Sequence, residues 1–175
     1  MRYSYISKGA KEFESINLNE KIDAVLEDLA LVVQEKGAQI STENLPTILG
    51  HRRQVQQLFY NHLSNALKYS KQDVAPAIQI TCERVSGKDL RLMSPLLNKE
   101  STYYVIKVKD NGIGFAEENA ERIFNVFTRL HGNHEYSGTG VGLAIAKKVV
   151  ENHHGAIYAQ GSLGKGAEFT IVWPI

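Results

Sequence analysis

The run Ser137-Gly138-Thr139-Gly140-Val141-Gly142-Leu143-Ala144-Ile145 sets glycine at every second position and then passes into a helical pattern. Glycine lets backbone approach a ligand closely and tolerates positive φ. The first N–H groups of a helix point beyond its start, and the helix dipole favours an anion there. The run therefore suits a phosphate group, although glycine-rich turns also exist only to turn. Two further stretches upstream carry chemistry: Asn61-x-x-x-Asn65-Ala66-x-Lys68-Tyr69 and Asp110-Asn111-Gly112-Ile113-Gly114.

Asn61, Asn65 and Lys68 fall at i, i+4 and i+7, on one stripe of a helix. A solvated face is the ordinary fate of such residues. An asparagine side-chain oxygen is also a hard ligand suited to Mg²⁺, and a lysine one turn on neutralises phosphate oxygens. Tyr69 is placed to pack along a nucleoside. Asp110 directly follows the clearest strand pattern of the chain, and Asn111-Gly112 is a strong turn dipeptide. A turn alone leaves unexplained an aspartate at the strand end followed by two glycines one residue apart. A carboxylate there accepts a hydrogen bond from an exocyclic amine, and the glycines leave room for a flat ring. Adenine is the natural candidate, with Ile113 as a wall.

The elements that must position these residues follow from periodicity. Residues 13–18 alternate as a short strand, and Asn17 with Glu20 fits a capping box. Ile22, Val25, Leu26, Leu29, Val32 and Val33 then repeat at helical spacing until Gly37. Residues 38–43 and 47–49 read as strands around Pro46. Residues 52–70 form a second helix, with Val55, Leu58, Phe59, Leu63, Ala66 and Leu67 on its core face. Strands are expected at 77–85 and 102–109, the latter with Tyr104, Ile106 and Val108 on one face. The connection 86–101 has no clean period. A short helix is expected at 116–127, a mobile polar loop at 128–137, and a third substantial helix at 139–152. Residues 156–160 and 167–172 close the chain as a hairpin around 161–166. This order gives an α+β two-layer sandwich, with about three helices on one face of a mixed, mostly antiparallel sheet.

Composition narrows the class. At 175 residues, with 43% apolar and 22% charged residues, the chain can bury one domain's core. Its 20 Lys+Arg nearly balance 19 Asp+Glu without a block of either, so the footprint of a nucleic-acid binder is missing. Cys82 is the single cysteine, which excludes an internal disulfide and a cysteine-based zinc site. No apolar stretch approaches the ~20 residues that span a bilayer, and no signal peptide is evident. A soluble, cytoplasmic domain without nucleic-acid or membrane contact is expected, in a parent whose membrane anchorage is left open.

With Ile123-Phe124-x-x-Phe127-x-Arg129 and Gly138-Thr139-Gly140-x-Gly142-Leu143 added, the motifs resemble, in order, the ATP-binding domain of bacterial sensor histidine kinases. The wider superfamily includes DNA gyrase B subunits, Hsp90 chaperones and MutL-type repair proteins. Arg129-Leu130-His131-Gly132 and Gly164-Lys165-Gly166-Ala167-Glu168-Phe169 resemble the phytochrome-like group in particular. The resemblance runs from about residue 17 to 174 and implies a Bergerat-type fold. It implies a remnant of an upstream dimerisation helix or linker at 1–12 and an ATP-binding catalytic domain at 13–175.

The resemblance further implies roles. Asn65 would coordinate Mg²⁺. Asn61, where the superfamily often has glutamate, Lys68 and Arg129 would serve phosphoryl transfer from ATP. Asp110 would bind the adenine amine, with Gly112, Ile113 and Gly114 shaping the pocket and Tyr69 near sugar or base. Ile123, Phe124 and Phe127 would flank the start of a lid at 128–137. Ser137, Gly138, Thr139, Gly140, Val141, Gly142 and Leu143 would wrap the triphosphate. The implied partners are a dimerisation domain of the same parent, bearing the phosphoacceptor histidine, and a response regulator receiver domain.

Three departures stand out: His51 where relatives carry an acidic or amide residue, His154 for the first glycine of a His-Gly-Gly, and Ala167 without a hydroxyl near adenine. None of the six histidines is followed by the glutamate and proline of the family's acceptor helix. All are expected to be surface or satisfied core residues. Two other readings stay open, an ATP-hydrolysing clamp of gyrase or chaperone type and a non-catalytic nucleotide-binding module. Clamps usually activate water with a carboxylate, and Asn61 cannot accept a proton.

Overall fold

The computed structural model describes residues 13–90, 94–125 and 142–175. The expectations for residues 1–12 and for the loop at 128–137 fall outside them.

A two-stranded antiparallel ribbon pairs β1 (Glu14–Asn17) with β3 (Thr47–Gly50). The main sheet has five strands, β2 (Gln39–Thr42), β4 (Ala77–Ser86), β5 (Thr102–Asp110), β6 (Ala156–Ser162) and β7 (Gly166–Pro174), in the order β2-β4-β5-β7-β6. Only β2–β4 is parallel; the other pairings are antiparallel. This is the mixed, mostly antiparallel sheet that the element order implies.

The helices α1 (Leu18–Asp28), α2 (Ala30–Lys36), α3 (Arg52–Lys68) and α5 (Gly142–Asn152) supply the second layer. Ile106 and Val108 of β5 join Ile78, Ile80, Phe169 and Ile171 in one core with Leu58, Leu63, Leu67 and Val150 from the helices. Tyr103 and Val105, on the opposite pleat of β5, pack with Val172, Leu90 and Leu97. The connection without a period thus anchors the second face through two isolated leucines, one of them ending the short α4 (Gly87–Leu90).

Several expectations need correction. The first helix breaks at Leu29 (φ −102°, ψ 11°) and resumes as α2, capped by left-handed Gly37 (φ 63°). At the N-cap, Asn17 Oδ1 accepts from the N–H of Asn19 at 2.9 Å, so the bond goes to the second helical residue and not to Glu20. No α-helix forms in the described part of 116–127. Two 3₁₀ turns, Glu117–Asn119 and Arg122–Phe124, stand there, because only the adjacent pair Ile123 and Phe124 needs burying.

His51 begins α3 without a side-chain cap. Its N–H instead donates to Nε2 of His153 at 3.0 Å, while His153 Nδ1 lies 2.7 Å from the carbonyl of Val149. That geometry places the proton on Nδ1. Trp173 Nε1 donates to the carbonyl of Leu49 at 3.1 Å. Both rings close on Gly50, where an added methyl would lie 3.0 Å from each. His153 also stacks on Trp173 and Phe13, with centroids at 4.4 and 5.2 Å. His154 takes the left-handed conformation (φ 63°) that glycine would adopt without strain.

His62 is not the satisfied histidine expected. It is 2% exposed, lies 4.9 Å from the Phe169 ring, and neither ring nitrogen has a hydrogen-bond partner among the described residues. Complete burial pushes its pKa down to about 4. The unfolded chain binds this proton near pH 6.5. The neutral ring's contribution is therefore complete above that pH and is lost as pH falls toward 4. Denaturant unfolding should show a loss of about 2 kcal/mol from this group between pH 7 and pH 5. His62→Leu, close in volume, should flatten that part of the profile and raise stability at pH 7 by about 1–3 kcal/mol, the cost of an unsatisfied buried polar group. A variant that keeps the wild-type acid slope would show that another histidine sets it.

Candidate functional site

The candidate residues lie along the C-terminal half of α3, which meets the start of α5 at Asn61 and Asn65 and the loop after β5 at Tyr69. α3 is helical here because its apolar residues recur every three to four positions and bury Leu58, Phe59, Leu63, Ala66 and Leu67. Asn61, Asn65 and Lys68 are left on a half-buried stripe. Asn61 Nδ2 donates to the carbonyl of Gly142, the first described residue of α5, at 3.1 Å. A methyl built on Gly142 would sit 3.9 Å from Asn61 Cγ and from Asn65 Nδ2. The two asparagines therefore face the beginning of the helix that follows the glycine run. Packing among the described residues does not force glycine at 142, since that contact is ordinary. The Lys68 ammonium lies 5.5 Å from the centroid of the Tyr69 ring.

Asp110 ends β5 between Ile78 of β4 and Ala167 of β7. Its Oδ1 accepts from the N–H of Gly112 at 2.9 Å. Burial pushes its pKa up, opposed by hydrogen bonds from the backbone of Gly112 and Ala167. A carboxylate so held keeps acceptor capacity for one more donor. Ala167, noted for lacking a hydroxyl, contributes through its main chain.

The glycines of this loop do a different job from leaving room for a ring. An added Cβ on Gly112 would lie 2.5 Å from the carbonyl oxygen of Tyr69, and one on Gly114 (φ 69°) 2.2 Å from that of Ser162. They let the loop lie directly on backbone, where Ile113 N–H donates to Tyr69 O at 2.9 Å. Ile113 itself is half-buried and Leu143 likewise. Ile123 is 5% exposed within the main core, and Phe124 packs edge-on to Phe169 at 6.2 Å. Phe127, Arg129, Ser137, Gly138, Thr139, Gly140 and Val141 lie outside the described residues.

Asn61 and Asn65 are thus brought to Gly142, and Tyr69 to the loop of Asp110, Gly112, Ile113 and Gly114, with Lys68 beside Tyr69 on the helix that joins the two groups. Sequence reasoning passed over the Ala167 N–H and the side chain of Asn111, which bonds to the main chain of Ala75 and Ala77. The first carries no side-chain signal, and the second was absorbed into the turn dipeptide. The residues fit a nucleotide. A half-buried carboxylate with spare acceptor capacity stands at one end, and two side-chain amides and the first described turn of α5 stand at the other, with Lys68 on the helix that joins them.

Comparison with known proteins agrees. A profile described as histidine kinase-, DNA gyrase B- and HSP90-like ATPase matches residues 50–175. Cyanobacterial phytochrome A of Nostoc sp. is 35% identical over all of this chain, and sensor protein RprX of Bacteroides fragilis is 30% identical over 96% of it. The chain spans 21% and 30% of those two relatives. Full-length ShkA in complex with AMPPNP superposes with a TM-score of 0.72 at 26% identity, over 93% of this chain and 31% of that one. The nucleotide-free catalytic domain of histidine kinase ThkA gives 0.70 at 23% identity, over 93% of this chain and 97% of that one, a likeness of fold. By this match, and by a sheet and helix layer shared with those domains, the chain belongs to the histidine kinase-, DNA gyrase B- and HSP90-like ATPase family and is an ATP-binding catalytic domain of the sensor histidine kinase kind.

Proposed function

We propose that this domain binds Mg²⁺–ATP and transfers its γ-phosphoryl group to a histidine on a separate dimerisation domain, from which a response regulator receives it. The meeting of Asn61 and Asn65 with the start of α5 carries the reading, because it sets two side-chain amides against the first described turn of one helix. Asp110 accepts from the adenine amine. Asn65 offers its side-chain oxygen to Mg²⁺, which when bound neutralises charge on the phosphate oxygens. Lys68 and the α5 start take up phosphate charge, and Tyr69 borders the nucleoside. Arg129 and the glycines at 138 and 140 belong to the same reading from the sequence alone.

Phosphoryl transfer of this kind asks the protein for positioning and charge neutralisation rather than covalent work. The accepting imidazole is its own nucleophile. Asn61, with its amide engaged by Gly142, supplies no base for water, which favours the kinase over a hydrolysing clamp. The response regulator is supported by a complex of ThkA with response regulator TrrA among the similar folds.

Three outcomes are expected. Asp110→Ala should weaken ATP binding by about one to two orders of magnitude, since losing one partner of a charged hydrogen bond costs about 1.5–3 kcal/mol. Calorimetry on the folded variant showing wild-type affinity would remove Asp110 from the site. Asn65→Ala should weaken ATP strongly with Mg²⁺ present and much less in chelator; an equal loss under both conditions would mark a structural role. Incubated with labelled ATP, the 175-residue chain should acquire little phosphate, and supplied dimerisation domain should be labelled in trans, slowly for want of a tether. Acid-labile, base-stable label on the chain itself would make one of its own histidines an acceptor, and rapid turnover without phosphoprotein would favour the clamp.

A further inference from the structure

Asn111 follows Asp110 and has no part in the reading above. It is half-buried, and its side chain reaches sideways to the start of β4. Oδ1 accepts from the N–H of Ala77 at 2.8 Å, and Nδ2 donates to the carbonyl of Ala75 at 3.2 Å. The two bonds straddle buried Pro76, whose own carbonyl accepts from Gln39 N–H at 2.9 Å. Both hydrogen-bonding faces of the amide are therefore used on main chain. The connection from α3 back to the sheet, residues 70–76, is stapled at its far end to the residue beside Asp110. At its near end Tyr69 is bonded to Ile113.

The rest of the loop is fastened inward. Gly112 N–H serves the Asp110 carboxylate, and the Ile113 carbonyl accepts from Gly164 N–H at 2.8 Å. Beyond the Ile78–Asp110 pair that ends the ladder, the side chain of Asn111 ties it outward to the start of β4. Releasing that tie loosens the peptide between Asp110 and Gly112, and with it one of the two backbone donors, Gly112 and Ala167, that orient the carboxylate. Guanine presents a carbonyl oxygen where adenine presents an amine. A carboxylate fixed toward that position attracts the one and repels the other, whereas a swinging carboxylate does neither well.

We infer that Asn111 is a positioning residue for base selection: its two-bond staple across Pro76 holds Asp110 in the orientation that prefers adenine to guanine nucleotides. The inference rests on Asp110 as the base-reading group. The test is calorimetry of ATP and GTP binding to the 175-residue chain and to Asn111→Ala, Asn111→Asp and Asp110→Asn, each checked for folding by circular dichroism. Asn111→Ala should weaken ATP by about three- to tenfold, the size of ordinary neutral hydrogen bonds, and GTP by less than about twofold. The ATP preference then falls by nearly the same factor. Asn111→Asp keeps the acceptor for Ala77 but sets a charged oxygen against the Ala75 carbonyl and beside Asp110, so it should weaken ATP at least as much as alanine does, and it carries the comparison if the alanine variant does not fold. Equal loss of ATP and GTP would reduce the staple to a structural bond and overturn the inference. So would unchanged affinities in the Asn111 variants alongside weakened ATP binding in Asp110→Asn. Unchanged ATP binding in Asp110→Asn would instead overturn the assignment of the base pocket.

Discussion

The carbonyl of Tyr69 accepts the Ile113 N–H, and Gly112 lies against the same carbonyl with no space for a side chain between them. Tyr69 caps the helix that carries Asn61, Asn65 and Lys68, and Ile113 belongs to the loop that carries Asp110. One peptide group thus fixes the helical layer against the sheet at the point where both contribute chemistry. α3 is 17 residues long, a rod of about 25 Å, and it is held at its other end by the bond from His51 to His153. With both ends set, the stripe of amides along it has one orientation toward α5. The motif order along the chain acquires meaning only through these junctions, since its members come from different layers.

Two buried histidines show how far polar satisfaction decides stability. His153 uses both ring nitrogens, one on Val149 and one on His51, and packs between Phe13 and Trp173. His62 is equally buried and uses neither. Burial lowers the pKa of both rings. Only His153 recovers hydrogen bonds for its desolvation.

Much of this was legible in the residues. Periodicity placed α3, β4, β5 and the closing hairpin within a few residues, because each buries one regular face. It missed the break at Leu29, since Leu29 continues the apolar stripe and is itself buried; the backbone angle there has no signature in residue type. It set a helix where the described residues 116–125 form two 3₁₀ turns, anchored by the adjacent pair Ile123 and Phe124. Asp110 and the asparagine stripe were readable because charge and amide groups beside glycines are hard to explain as packing. The purpose of Gly112 and Gly114 was not readable, for a missing side chain does not say whether ligand or backbone takes its place. Asn111 was hidden by a dipeptide that fits any turn.

The clasp on Gly50 also has a mechanical side. Near its start β7 lies beside Asp110, where Ala167 faces it, and near its end it carries Trp173, whose indole grips Leu49 of the ribbon. The two grips are six residues apart, about 20 Å of extended chain. Along that length β7 is bonded to β5 on one side and to β6 on the other. A tug on the ribbon is therefore delivered along the axis of a laterally supported strut, in shear, with many bonds sharing the load at once. The ribbon and the Asp110 carboxylate stand at opposite ends of one stiff member, and traction on the first is spread through the sheet before it reaches the second.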